Sequence, residues 1–290
     1  MRRRYYVTAV LAVTACCTIV TQAGCARTQS THTPVTVPVA ERIDAEPEIV
    51  RDSIPGTLIT FELVRVPGGS VTLDTPAGRR TVSVDPFYMG RTEATWDMYD
   101  VYMLRLDHAD SNAAADAIAR PSMPYAVPDY EWGHDGYAAI SIARGAARSF
   151  TEWLSARTGH TYRLPTEAEW VHAARLAAGT GLTRERLDAI AWHRDNAERK
   201  THPIASREPD TLGLFDLFGN AAEWVTTEDG GFVTRGGSFR DDPANVGPDA
   251  RAEQSRLWTE RDPQIPSSIW WLSDGPFVGF RIVREAQPAR

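Results

Sequence analysis

Apolar and polar residues alternate from residue 58 to 66, Pro67-Gly68-Gly69 follows, and the alternation returns at 71–73. That pattern predicts an antiparallel β-hairpin, and residues 81–84 predict another short strand. The period then lengthens to that of helices. Thr95 is placed to cap a helix whose apolar stripe is Trp96, Tyr99, Tyr102 and Met103. Ala146, Phe150, Trp153 and Leu154 form the stripe of a second helix, which stops near Gly159. Thr166-Glu167-Ala168-Glu169 is a capping box that opens a third, with Trp170, Ala173, Ala174 and Ala177 on its buried side. From residue 191 onward short strands alternate with Gly- and Pro-rich loops and end on an apolar run at 278–283. With no internal repeat and no second linker, the pattern predicts one domain over residues 56–285.

The beginning of the chain follows neither period. Arg2, Arg3 and Arg4 precede an apolar run at 5–20, and Ala23 and Gly24 stand before Cys25, the layout of a secretory signal over residues 1–25. A Gly-Cys junction there resembles the bacterial lipoprotein cleavage box and makes Cys25 the expected site of lipidation, although Gln22 departs from the usual aliphatic residue. Residues 13–16 fit that box better by letter but leave a short apolar core, and an uncleaved anchor or plain secretion are the alternatives. Residues 26–55 are rich in Thr, Pro and charge, as expected of a tether.

Composition then removes whole classes of chemistry. Hydrophobic residues at 42% and charged residues at 24% exclude a collagen-like, coiled-coil or wholly disordered chain, and 21 Gly with 19 Pro argue against a helical bundle. A net charge of −7 without a clustered basic stretch excludes a nucleic-acid partner. All three cysteines, Cys16, Cys17 and Cys25, lie in the leader, so the domain has no disulfide, no thiolate nucleophile and no cysteine metal site. The acidity suits oxygen-ligated divalent cations.

Several motifs stand in order along the domain. They are residues 61–69 (FELVRVPGG), Glu93-Ala94-Thr95, 162–170 (YRLPTEAEW), 213–225 (GLFDLFGNAAEWV), 235–239 (RGGSF) and Gly279-Phe280-Arg281. Together they resemble the formylglycine-generating, or sulfatase-modifying factor, family, and the loop at 120–142 is similar to an exported bacterial branch of it. The resemblance implies an α+β, C-type-lectin-like fold with low regular secondary structure.

The family's oxidases hold Cu(I) between two cysteine thiolates after the Arg-Gly-Gly-Ser element, and that soft ion needs soft ligands. The matching positions are Asp241 and Val246, so no copper is expected. Iron held by histidines, as in sulfoxide synthases with a related domain, is not supported either: the seven histidines are scattered, and no two are at i, i+4 spacing. His134 is singled out because its loop also carries Trp132 and Asp135. Asp216 and Glu223, with a Gly219-Asn220 break between them, offer oxygen ligands suited to Ca²⁺, or else carboxylates on a solvated turn. The resemblance implies a structural calcium on Asp216, the Gly219 and Ala221 carbonyls and Glu223. It also implies a second on Asn196 and the Ala197 carbonyl, whose completing acidic loop is shortened between Glu198 and Pro203.

Arg235 is expected to anchor a loop through paired hydrogen bonds. Trp258, Trp270 and Trp271, in a polar loop after the lost copper positions, either stack on a peptide or sugar or cap the core. The resulting expectation is an exported lipoprotein of the cell envelope, reaching the membrane through its lipid, that binds or assembles a protein or glycan partner. The rival is an oxidoreductase or other enzyme using another metal, or none, in a cleft near Asp241 and Trp258.

Overall fold

The computed structural model describes residues 46–75, 78–107, 111–126 and 128–286. Cys25, the leader and the tether up to residue 45 lie outside the described residues. The described chain opens with β1 (Ile49–Ser53), β2 (Thr60–Val66), β3 (Gly69–Thr75), β4 (Gly78–Val84) and β5 (Phe87–Gly90). Next come α1 (Trp96–Met103), α2 (Ala113–Asp116), α3 (Arg144–Thr158), β6 (Tyr162–Arg163), α4 (Glu167–Ala178) and α5 (Arg184–Ile190). It closes with β7 (Ala222–Thr226), β8 (Phe232–Gly236), β9 (Gly247–Glu253), β10 (Val278–Phe280) and β11 (Val283–Glu285). No helix among the described residues is long and apolar enough to cross a membrane.

These strands form a five-stranded sheet in the order β1-β2-β5-β11-β6, a four-stranded sheet β10-β7-β8-β9 and a separate β3-β4 ribbon. The expected hairpin is therefore corrected. Its two strands exist, but β2 pairs with β1 and β5 while β3 turns away to pair with β4. The turn between them is crowded: a Cβ on Gly69 would lie 2.6 Å from His172 Cε1. A second correction concerns β1, which pairs with β2 although its residues fall in the segment assigned to the tether. The apolar run at 278–283 also divides. Val278 pairs in parallel with Ala222, whereas Val283 lies antiparallel to Met89, so the chain changes sheets at Arg281.

The three long helices form where the apolar stripes lie, while α2 and α5 are short additions with no long stripe of their own. Thr95 caps α1 by accepting Met98 N–H, and Gly159 ends α3 in the left-handed region at φ +76°. Two buried clusters fill the interior. One gathers the α1 and α3 stripes around Trp224 and Phe280; the other packs α4 on Val64, Val71, Phe218, Val225 and Val233. Tyr99 meets Trp96, Tyr102 and Phe280 edge to face, the orientation favoured by ring quadrupoles.

The capping box forms as expected. Thr166 Oγ1 accepts Glu169 N–H at 3.1 Å, Glu169 Oε2 accepts Thr166 N–H at 2.8 Å, and Arg163 grips both oxygens of Glu169 at 2.7 Å. Thr166→Ala removes the cap and is expected to cost about 1 kcal/mol. Urea unfolding should show this as a lower midpoint with an unchanged slope.

Candidate functional site

Where the chain leaves one sheet for the other, Arg281 is completely buried. Its Nε donates to Glu223 Oε1 at 2.9 Å, Nη1 to the Gly90 carbonyl at 2.7 Å and Nη2 to the Phe215 carbonyl at 2.8 Å. Trp170 Nε1 donates to the other oxygen of Glu223 at 2.7 Å, joining α4 to the same pair. Two more buried carboxylates lie close by. Glu93 accepts from Ala221 N–H at 3.0 Å and from the Asn220 carboxamide at 3.1 Å, and Asp216 Oδ2 accepts Ala205 N–H at 2.8 Å. Asp216 Oδ1 has no hydrogen-bond partner among the described residues.

The geometry of the 213–225 loop depends on residues with positive φ. Gly219 sits at φ +79°, and a Cβ there would lie 2.2 Å from the Trp192 carbonyl oxygen, so only glycine fits. Asn220 follows at φ +46°; its N–H bonds the Trp192 carbonyl, its Oδ1 accepts His202 N–H, and its carbonyl accepts Phe239 N–H. One residue thus fixes the acid cluster, the loop at 192–202 and the segment after Arg-Gly-Gly-Ser.

Three carboxylates face one guanidinium in this buried interior. Burial pushes Glu93 well above the usual carboxylate range, the charge of Asp216 adds to this, and Arg281 pulls the other way. Asp216 is pushed up to about 6, again by burial foremost, against the Ala205 hydrogen bond and Arg281. Glu223 is raised by burial and held back by Arg281 and Trp170.

This arrangement does not fit the implied calcium. Glu223 has turned its two oxygens to Arg281 and Trp170, and of the implied side-chain ligands only Asp216 retains an unengaged oxygen. Among the described residues no group of three His, Cys, Asp or Glu is placed to hold an ion. The Asn196 and Ala197 pair is likewise spoken for: Asn196 Oδ1 accepts His193 N–H at 2.8 Å, and the Ala197 carbonyl accepts His202 Nε2–H at 2.9 Å. Positive charge reaches the acid cluster through Arg281, a residue singled out in the sequence only as part of Gly-Phe-Arg.

A cleft of about 650 Å³ opens beside this junction, lined among others by Arg240, Asp241, Val246, Trp258 and Phe277. Asp241 and Val246, the positions matching the copper ligands, both lie on its wall. Asp241 Oδ2 is held by Ser238 N–H at 2.8 Å and Ser238 Oγ at 2.7 Å, and Val246 is buried. Arg235 anchors its strand as expected, with Nε and Nη2 donating to Glu167 Oε1 at the start of α4.

Of the other candidates Trp258 also lines that cleft, while Trp270, Trp271 and His134 do not. Trp258 and Trp271 are 6% and 7% exposed, so of the two readings they follow the one in which they cap the core. Trp271 borders a different cavity, of about 340 Å³, with Tyr125 and Tyr130. Trp270 is partly buried against the core and accepts Ala143 N–H at its carbonyl. His134 stacks on Trp96 with centroids 5.1 Å apart, and its two nitrogens meet Asp129 Oδ2 and Asp100 Oδ2, each at 2.8 Å. Burial opposes charge on that ring, but the two carboxylates outweigh it and raise its pKa.

Comparison with known proteins follows the same outline. Residues 57–286 match the model of the sulfatase-modifying factor enzyme 1-like domain. The chain is 32% identical to a formylglycine-generating enzyme of Mycobacterium tuberculosis, covering 32% of this chain and 34% of that protein. It is 31% identical to the chaperone protein LppX of Paenibacillus barcinonensis, covering 22% of this chain and 30% of that one. The chain thus spans about a third of the length of the curated relatives it matches. Among solved structures, PvdO from Pseudomonas aeruginosa superposes with a TM-score of 0.60 at 22% identity, over 83% of this chain and all of that one. Treponema denticola variable protein 1 does so at 0.59 and 18%, with the same coverage. These likenesses establish the fold.

Two outcomes follow from the geometry. Arg281→Met leaves Glu223 and two carbonyls buried without their donor and is expected to cost about 3–5 kcal/mol, read as a large fall in urea midpoint; replacing Glu223 by Met as well should restore part of it. His134 has its pKa raised above the unfolded value of 6.5, so its contribution is complete below that pH and is lost as pH rises through the folded pKa. The gap in urea midpoint between the natural protein and His134→Gln should be wide just below pH 6.5 and narrow as pH rises through the folded pKa.

Proposed function

Because this chain belongs to the sulfatase-modifying factor family, its departures within that family's cleft decide its role, and we propose that it is a non-oxidising member. It serves as a binding or assembly protein of the cell envelope, held there by a lipid on Cys25. The observation that carries this reading is the wall of the cleft. Where Cu(I) would need two thiolates, Asp241 is committed to Ser238 and Val246 is packed into the core, and no cysteine follows residue 25.

The cleft is therefore a recess without a soft-metal centre, and the rest of the fold is retained around it. An assembly role draws support from the local likeness to a protein named as a chaperone, and export from the basic and apolar leader. Calcium has no part in this reading, since Arg281 supplies the positive charge at the acid cluster.

The test combines metal uptake with chemistry. Purified protein should take up no stoichiometric Cu(I) and should leave a cysteine peptide unoxidised in air, by mass spectrometry, whereas Asp241→Cys with Val246→Cys should gain Cu(I) affinity. Dialysis against a chelator should leave the urea midpoint unchanged. Tight Cu(I) binding with aldehyde formation by the natural protein would overturn the reading; a chelator-induced fall in stability would overturn the calcium-free junction.

A further inference from the structure

Arg240 stands between the family's Arg-Gly-Gly-Ser-Phe segment and Asp241, and no motif read from the sequence assigns it a role. Its guanidinium carbon lies 3.1 Å from the centroid of Phe277, on the wall of the cleft. A guanidinium held by a ring face rather than by an acceptor keeps its N–H groups available to an oxyanion. Among the described residues it makes no hydrogen bond or ion pair to any carbonyl or carboxylate.

The two acids beside it are both engaged elsewhere. Asp241 accepts from Ser238, and Asp242 caps the turn at Ala244 N–H, 3.0 Å away, and pairs with Arg194 at 2.5 Å. The sequence Arg-Asp-Asp would ordinarily form an ion pair; here neither carboxylate pairs with Arg240, and only the charge of Asp241, on the same wall, still acts on it. The surrounding surface is mixed, with Leu182, Val246, Trp258 and Phe277 apolar and Asn245 and Thr234 polar.

We infer that this cleft binds a carboxylate carried on an apolar body, with Arg240, seated on Phe277, as its counter-ion and Leu182, Val246 and Trp258 beside the apolar part. One guanidinium matches one negative charge, and Asp241 and Asp249 on the same wall disfavour a dianion such as phosphate. The inference deepens the binding reading and rests on it.

Hexanoate, hexanol and inorganic phosphate titrated separately into the isotope-labelled full chain provide the test, read from the Arg240 Nε–H and Trp258 indole resonances. Hexanoate should give saturable shifts, and hexanol and phosphate should not. Arg240→Gln should weaken hexanoate by at least about tenfold, the value of a charge-assisted hydrogen-bonded pair. Arg199→Gln, an exposed arginine outside the cleft, should have no effect, and an unchanged urea midpoint for Arg240→Gln shows that the fold is intact. Equal shifts with hexanol, saturation by phosphate alone, no response to hexanoate or an undiminished response in Arg240→Gln would each overturn the carboxylate site. These outcomes are separate from Cu(I) uptake, which alone overturns the non-oxidising reading beneath it.

Discussion

A single buried guanidinium bridges the two main sheets. Arg281 lies between β10 and β11 and reaches the carbonyl that ends β5, a carbonyl of the 213–225 loop and the carboxylate of β7. Arginine suits the position because its rigid fork offers several donors in fixed directions and stays charged without solvent. The pair with Glu223 need not be more stable than a well-packed apolar substitute would be. Its value lies in geometry, since an apolar side chain could not also satisfy two carbonyls from different parts of the chain. Trp170 reads the same carboxylate from α4, so helix and both sheets meet at one side chain.

Local features were legible in the sequence wherever they depended on local physics. Thr95, Thr166 and Gly159 end or begin helices through their own backbone neighbours, and all three do so in the structure. Partnership between strands was not legible, because alternation identifies a strand and its buried side but not the strand beside it. That is why residues 60–66 and 69–75 both appear as strands and yet lie in different sheets. Residues 278–283 looked like one strand for a related reason: an apolar run carries no mark of a change of partner except the arginine within it. β1 escaped notice because only Ile49 and Val50 of its five residues are apolar, side by side rather than alternating, and none of the five is fully buried.

The site was legible in its letters and not in its pairings. Asp216 and Glu223 have the spacing and chemistry of metal ligands, and the sequence cannot show that an arginine 58 positions further on has claimed one of them. Glu93 lies still further from its partners, 128 positions before Ala221. For the tryptophans of the 258–271 segment the letters left two readings open, a stacking surface or a cap on the core, and packing decides between them: Trp258 and Trp271 fill space under the loop. A clue to Arg240 was present: a base followed by two acids, directly after a motif that lines a cleft. Its meaning required knowing that Ser238, Ala244 and Arg194 had taken those acids.

β11 fills the slot between β5 and β6 rather than an edge. Without it the largest sheet is split: β6 loses its neighbour there and β5 is left with a bare row of backbone donors and acceptors. What this short strand supplies is continuity, so a break in its three residues would unzip far more pairing than the strand itself contains.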